Sequence, residues 1–363
     1  MRVRKKRNGF LDFLKFVFAI IIVIGHGDTI IGTPFPDKLI PLASFGVDFF
    51  FIISGAMLLR SVEKQRGRIS LGKDTFKYMK HKIEGLLPNY YVAWILLFIV
   101  LNIGSNFKII ILNFIKSIPE LLFIRMAGMP SQIYNGNTWY ISAMLLSLLI
   151  LYPIVRKNKE FFIKYLAPII TIFGTGYLTH NYSSILVIEQ WNGFICCGII
   201  RGISEICLGC IIYYLSQRLK KIKFTKLGKK LLTFIEFSFY SLGIFLILKY
   251  SFRHYCFVLL FIIMIPICIT LSDTSHSKDI FSFKIFNWLG KYSYSLYLAQ
   301  SIAYSKPIGK YIFNNGFSYS KKIIIFVIMA LIFGLIVMYL SKLVSYIWGK
   351  NKNKVVSLVI VNK

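Results

Sequence analysis

The stretch Gly9–His26, GFLDFLKFVFAIIIVIGH, decides how this chain is read. It is long and apolar, yet Asp12, Lys15, Ala19, Ile22 and His26 recur at intervals of 3, 4, 3 and 4. On a helix that spacing aligns an acid, a base and an imidazole along one face, with small or apolar residues between them. Ionisable groups inside a membrane helix are costly and mark a functional interior. A helix that only anchored the chain would need none of the three.

The rest of the chain fits a membrane protein. Of its 363 residues, 56% are hydrophobic, and the mean hydropathy is +0.65. The fold expected is an all-α polytopic helix bundle of about ten spans, near residues 10–31, 42–60, 85–103, 138–155, 162–179, 195–215, 231–248, 254–271, 287–305 and 322–347. The segment 107–126 is broken by Lys116, Pro119 and Glu120, so it reads as an interfacial or re-entrant helix. MRVRKKR before the first apolar run resembles a signal peptide's start. The run is span-length and no small-residue cleavage site follows, so it reads as an uncleaved span. The whole of 1–350 is then one transmembrane domain, and 351–363 a short basic tail.

The net charge of +30 comes from 44 Lys and Arg against 14 Asp and Glu. With the N-terminus inside, the segments 1–9, 60–84, 156–161, 216–230, 272–286 and 348–363 hold 29 of these bases. The alternate segments hold 10. That bias predicts both termini in the cytoplasm and accounts for the basic excess, and no nucleic-acid motif is present. Six cysteines lie in apolar stretches. Cys207-x-x-Cys210 has no second Cys or His pair nearby, so no metal site is expected.

Other polar residues interrupt the spans. Asp48 enters the second span in GVDFFFIISG, where it could cap the helix or join a site. Lys80, His81 and Lys82 crowd the mouth of the third span; topology and anionic lipid account for most such charge, and an anionic cytoplasmic ligand is the functional alternative. Trp139, Tyr140 and Ser142 open the fourth span. Arg201 and Glu205 stand four apart in the sixth, close enough to pair within an interior or a water-filled cavity. Ser293, Tyr294, Ser295 and Tyr297 place hydroxyls on the ninth.

Taken in order, LDFLKFVFAIIIVIGH, GVDFFFIISGAMLL, the bases before LLPNYY, NTWYISAMLL, RGISEICLGCIIY and NWLGKYSYSLYL resemble the acyltransferase-3 family of membrane O-acyltransferases across residues 10–347. The resemblance implies transfer of an acyl group, usually acetyl, from cytoplasmic acyl-CoA to a sugar hydroxyl of a cell-surface polysaccharide or its lipid-linked precursor. The family's essential histidine falls on His26. Its first-span acid and base fall on Asp12 and Lys15, its second-span acid on Asp48, and its sixth-span pair on Arg201 and Glu205. Two positions depart from the family. An R-x-x-R pair before the third span reads Lys82 and Gly85 here, and the histidine that often ends S-Y-S-x-Y-L reads Gln300.

The expected mechanism makes His26 the general base, with Asp48 or Asp12 orienting it and Glu205 in the site. Lys15, Lys80, Lys82 and Arg201 are the candidate donor-binding residues, with Lys in place of bidentate Arg at several points. Acetyl-CoA enters as a substrate, and no permanently bound cofactor is expected. The partners expected are the lipid bilayer, a carbohydrate or lipid-linked carbohydrate acceptor, and either a second copy of the chain or polysaccharide-assembly proteins. The location expected is the cell membrane of a bacterium. A sugar transporter or flippase is the alternative, but neither broken helices nor pseudo-repeated halves are evident.

Overall fold

A computed structural model describes residues 7–32, 39–65, 67, 70–251, 253–313 and 316–361, and the side chains of these apart from 253, 311–313 and 348–361. The basic residues 1–6 and Arg66 and Arg68 of the 60–84 loop lie outside the described residues. The chain is helical nearly throughout. Its helices are α1 (Gly9–Ile31), α2 (Phe45–Lys64), α3 (Leu71–Leu101), α4 (Phe107–Lys116), α5 (Thr138–Lys157) and α6 (Lys159–Tyr182). They continue with α7 (Cys197–Leu219), α8 (Lys226–Lys249), α9 (Cys256–Ser272), α10 (Lys284–Ala303), α11 (Lys306–Phe313) and α12 (Tyr319–Val361). The last runs through most of the segment 351–363. Two-residue strands, Trp191–Asn192 and Ile195–Cys196, form a small antiparallel hairpin before α7.

Helices occupy all ten positions expected of spans, and eight of them are long and apolar enough to cross a bilayer. The two that fall short have different reasons. α9 is apolar but only 17 residues long, and α10 is diluted by Asn287, Lys291, Gln300 and a run of serines and tyrosines. α10 is nevertheless deeply packed, with Ser295, Leu296, Leu298, Ala299 and Gln300 fully buried. Lys291 is exposed, but Ser293, Ser295, Tyr297, Gln300 and Ser301 face protein.

α1, α2, α5 and α7 form the inner layer, while α3, α6, α8 and α12 expose broad apolar faces. Phe173 on α6 and Phe234 on α8 are 72% and 69% exposed, which suits a lipid-facing belt. The segment 107–126 forms α4, which buries none of its side chains, and then turns back into the bundle at Ile118–Leu121.

Glycines set the closest crossings. A Cβ on Gly55 of α2 would stand 1.9 Å from the Ile206 carbonyl oxygen of α7, and one on Gly209 would stand 1.9 Å from that of Ile52. Small residues let membrane helices approach backbone to backbone, and this pair locks α2 onto α7. On the other side of α2, α1 packs on α10, where Gly290 makes room for the Asp12 side chain. α1 starts on an Asn8 cap whose side chain accepts from the Leu11 amide and donates to the Thr270 carbonyl.

Candidate active site

His26 sits near the end of α1. Its Nδ1 lies 3.0 Å from Oε1 of Gln300, a side chain with no exposed surface. The Gln300 amide nitrogen donates to the Tyr297 carbonyl at 2.9 Å, so the amide oxygen is the atom turned to the imidazole. Nδ1 therefore donates, and in the neutral ring the lone pair resides on Nε2. The orienting partner found for His26 is an amide, and the two aspartates expected in that role are engaged elsewhere. Asp12 binds Arg7 and Lys15, and Asp48 binds Arg201.

Gln300 is held by an ordered turn. Tyr297 donates to the Asn137 carbonyl at 2.7 Å. Asn137 donates to Ser301, which in turn donates to the Asn135 side chain. Beneath the turn, Glu120 accepts from the backbone amides of Tyr134 and Asn135 and from the Thr138 hydroxyl, at 2.9–3.0 Å. Burial pushes the Glu120 carboxyl above the usual range, and those three donors pull it back down. Arg125, also buried, donates to the Gly136 carbonyl and pairs with the exposed Glu189 at 2.6 Å. Glu120 gave no sequence signal beyond interrupting an apolar stretch, and Arg125 gave none.

His26 borders two spaces, which share Thr29, Trp139 and Ile188 in their walls. One is a chamber of about 790 Å³ bounded by Arg125, Asn137, Trp139, Tyr182, Glu189 and Tyr304. The other is a neck of about 100 Å³ lined by Ile22, Ser44, Val47, Trp139 and Tyr297. Val47 and Tyr297 also line a second chamber of about 790 Å³, which runs along α2 as far as Arg60 and Lys64. At ~1.5 Å per residue, Val47 to Arg60 covers about 20 Å, so this chamber crosses much of the bundle. It receives Lys15 from α1, Arg60 and Lys64 from α2, and His81 and Lys82 from α3. Lys15 is matched by Asp12 at 3.2 Å. Among the described residues, no carboxylate pairs with Arg60, Lys64 or Lys82.

Two of the expected donor-binding residues lie elsewhere. Lys80 is exposed and absent from the chamber wall, because residues two apart on a helix face different sides and Lys82 takes the inward one. Arg201 is wholly buried behind the wall. It pairs with Asp48 at 2.5 Å and with Glu205 at 3.3 Å, donates to the Ser44 carbonyl at 3.0 Å, and lies 5.6 Å over the Trp139 ring. Asp48, Arg201 and Glu205 thus brace two elements of the neck, Ser44 and Trp139, without lining it. Arg60 and Lys64 went unassigned in the sequence because bases at a span's end are explained by topology alone.

The fold and this arrangement define a polytopic membrane protein with a charged interior site reached from both ends of the bundle. The chain belongs to the acyltransferase-3 family, whose profile, described as an acyltransferase domain, matches residues 8–343. It is a membrane acyltransferase. No curated protein and no solved structure matches it.

Proposed function

We propose that the protein moves an acetyl group from cytoplasmic acetyl-CoA to a sugar hydroxyl of a cell-surface polysaccharide or its lipid-linked precursor, with His26 as general base. The observation that carries this reading is a row of three adjoining cavities that share wall residues, with an excess of cations at one end and His26 at the narrow middle one. The basic chamber suits a donor whose phosphates and thioester are separated by a flexible arm. Arg60, Lys64 and Lys82 take the phosphates, and the arm runs along α2 to Val47 and Tyr297. The opposite chamber, with Trp139, Tyr182 and Tyr304 beside Asn137, Arg125 and Glu189, offers the aromatic faces and polar groups that hold a sugar.

In the reaction, Nε2 of His26 takes the proton of the acceptor hydroxyl as its oxygen attacks the thioester carbonyl. The tetrahedral intermediate collapses, the carbon–sulfur bond breaks, and the imidazolium returns the proton to the departing thiolate. The products are the O-acetyl ester and CoA. The basic end faces the cytoplasm, in line with the charge bias, and the protein resides in the cell membrane. The neck is far smaller than either chamber, which favours passage of an acyl group over translocation of a sugar.

The test is transfer from acetyl-labelled acetyl-CoA by the purified protein in nanodiscs, with p-nitrophenyl glycosides as acceptors. His26→Ala should lower turnover by about 10²–10⁴-fold. A folded His26→Ala protein that transfers label at the wild-type rate rules the mechanism out.

A further inference from the structure

We infer that Gln300 is a positioning residue that fixes the tautomer of His26 and stabilises its imidazolium during acyl transfer. This rests on the reading of His26 as the base. Three observations carry it. The Nδ1–Oε1 contact is 3.0 Å, within hydrogen-bond range. The Gln300 side chain is fully buried, so bulk water does not compete for its end of the bond. The amide cannot simply turn over, since its nitrogen is committed to the Tyr297 carbonyl at 2.9 Å and a flip would set two oxygens against each other.

The consequence follows from imidazole chemistry. An acceptor held at Nδ1 keeps the proton there and leaves the lone pair on Nε2. When Nε2 takes up the acceptor's proton, the ring becomes cationic and the Nδ1–H bond to Gln300 becomes charge-assisted, roughly twice as strong as its neutral form. The bond therefore strengthens as the barrier is climbed, which is the condition for lowering it. Gln300 does this without touching either substrate in the cavities described. It borders none of the three spaces that contain His26 or the basic residues.

The turn at residues 134–138 extends the argument. It is seated on the buried Glu120 carboxylate and tied to α10 through Asn135, Asn137, Tyr297 and Ser301, so it sets the rotation of the helix segment that carries Gln300. A single glutamine on a loosely held helix would give no fixed tautomer. Here the helix is pinned on both sides of it, at Tyr297 and Leu298 before and at Ser301 after.

The experiment compares wild type, Gln300→Leu, Gln300→Glu and His26→Ala in nanodiscs, measuring kcat, KM for acetyl-CoA and thermal melting. Leucine removes the acceptor, and glutamate keeps an acceptor oxygen in its place. Gln300→Leu should lose about 10- to 100-fold in kcat, the range for a hydrogen bond to a charged group. Its KM and melting should stay near wild type, and Gln300→Glu should keep a kcat well above that of the leucine variant. A merely structural glutamine would change melting or both kinetic constants together. The inference is overturned if Gln300→Leu keeps wild-type kcat while His26→Ala is inactive, or if leucine and glutamate impair kcat equally. If His26→Ala stays active, the underlying reading of His26 fails instead.

Discussion

Arg60→Ala should raise KM for acetyl-CoA strongly while leaving kcat nearly unchanged. The magnitude follows from the charge inventory of the basic chamber. Lys15 shares the Asp12 carboxylate with Arg7, whereas among the described residues no carboxylate pairs with Arg60, Lys64 or Lys82. Removing one of three such cations, the only guanidinium among the described residues lining that chamber, deletes a charge-assisted phosphate contact of about 1.5–3 kcal/mol. At ~1.4 kcal/mol per tenfold, that is roughly a 10- to 100-fold rise in KM. The effect should shrink as salt is added, because the chamber's wide end is open to solvent. Gly85 supplies the complementary test. It lines the same chamber, and a Cβ there meets no atom within 4 Å, so Gly85→Arg has room. It also replaces a helix-interior glycine, a gain of up to about 1 kcal/mol in backbone terms. The double variant Arg60→Ala/Gly85→Arg should recover about tenfold of the lost affinity. Initial rates of CoA release at varied acetyl-CoA and salt measure all of this. An unchanged KM in Arg60→Ala, or a loss confined to kcat, would refute the reasoning.

Two further variants probe the frame. Arg201→Met leaves two buried carboxylates without their cation and should cost about 3–5 kcal/mol, seen as a lost melting transition in detergent. Adding Asp48→Asn and Glu205→Gln should restore most of it, and a triple variant no better than the single would contradict the ion-pair account. Gly55→Val should abolish assembly of the bundle, since even a Cβ there would strike the Ile206 carbonyl oxygen at 1.9 Å. Size-exclusion profiles of the solubilised variant check this.

The sequence was most legible where one helix carried the whole signal. Span-length apolar runs located the helices, and the spacing of Asp12, Lys15 and His26 marked α1 as the functional one. Their common face did not mean a common chamber. Eleven residues of rise separate Lys15 from His26, and the structure assigns Lys15 to the basic chamber and His26 to the neck. What could not be read was the cross-bundle pairing. His26 and Gln300 are 274 residues apart, and Arg201 and Asp48 are 153 apart. No local periodicity encodes such contacts. Asp48 had the look of a helix cap, and only the arrival of α7 shows it to be half of an ion pair. The departure from the family at Gln300 was visible in the sequence, but its meaning lay in the imidazole it faces.

The neck has a consequence for the membrane itself. A protein with deep chambers at both ends of its bundle is in danger of becoming a leak for protons and ions. Here, among the described residues, a cavity of about 100 Å³ flanked by Ile22, Ile40, Ala43 and Val47 lies between the two large chambers. So few waters fit there that a hydrated ion would have to shed most of its shell among these aliphatic side chains and the few polar groups of His26, Thr29 and Ser44, an energetic barrier to conduction. A flat, uncharged acyl group meets no such barrier. If acyl transfer runs through it as proposed, the constriction is an electrical insulator as well as a meeting place, and the acyl group crosses it while the membrane potential stays intact.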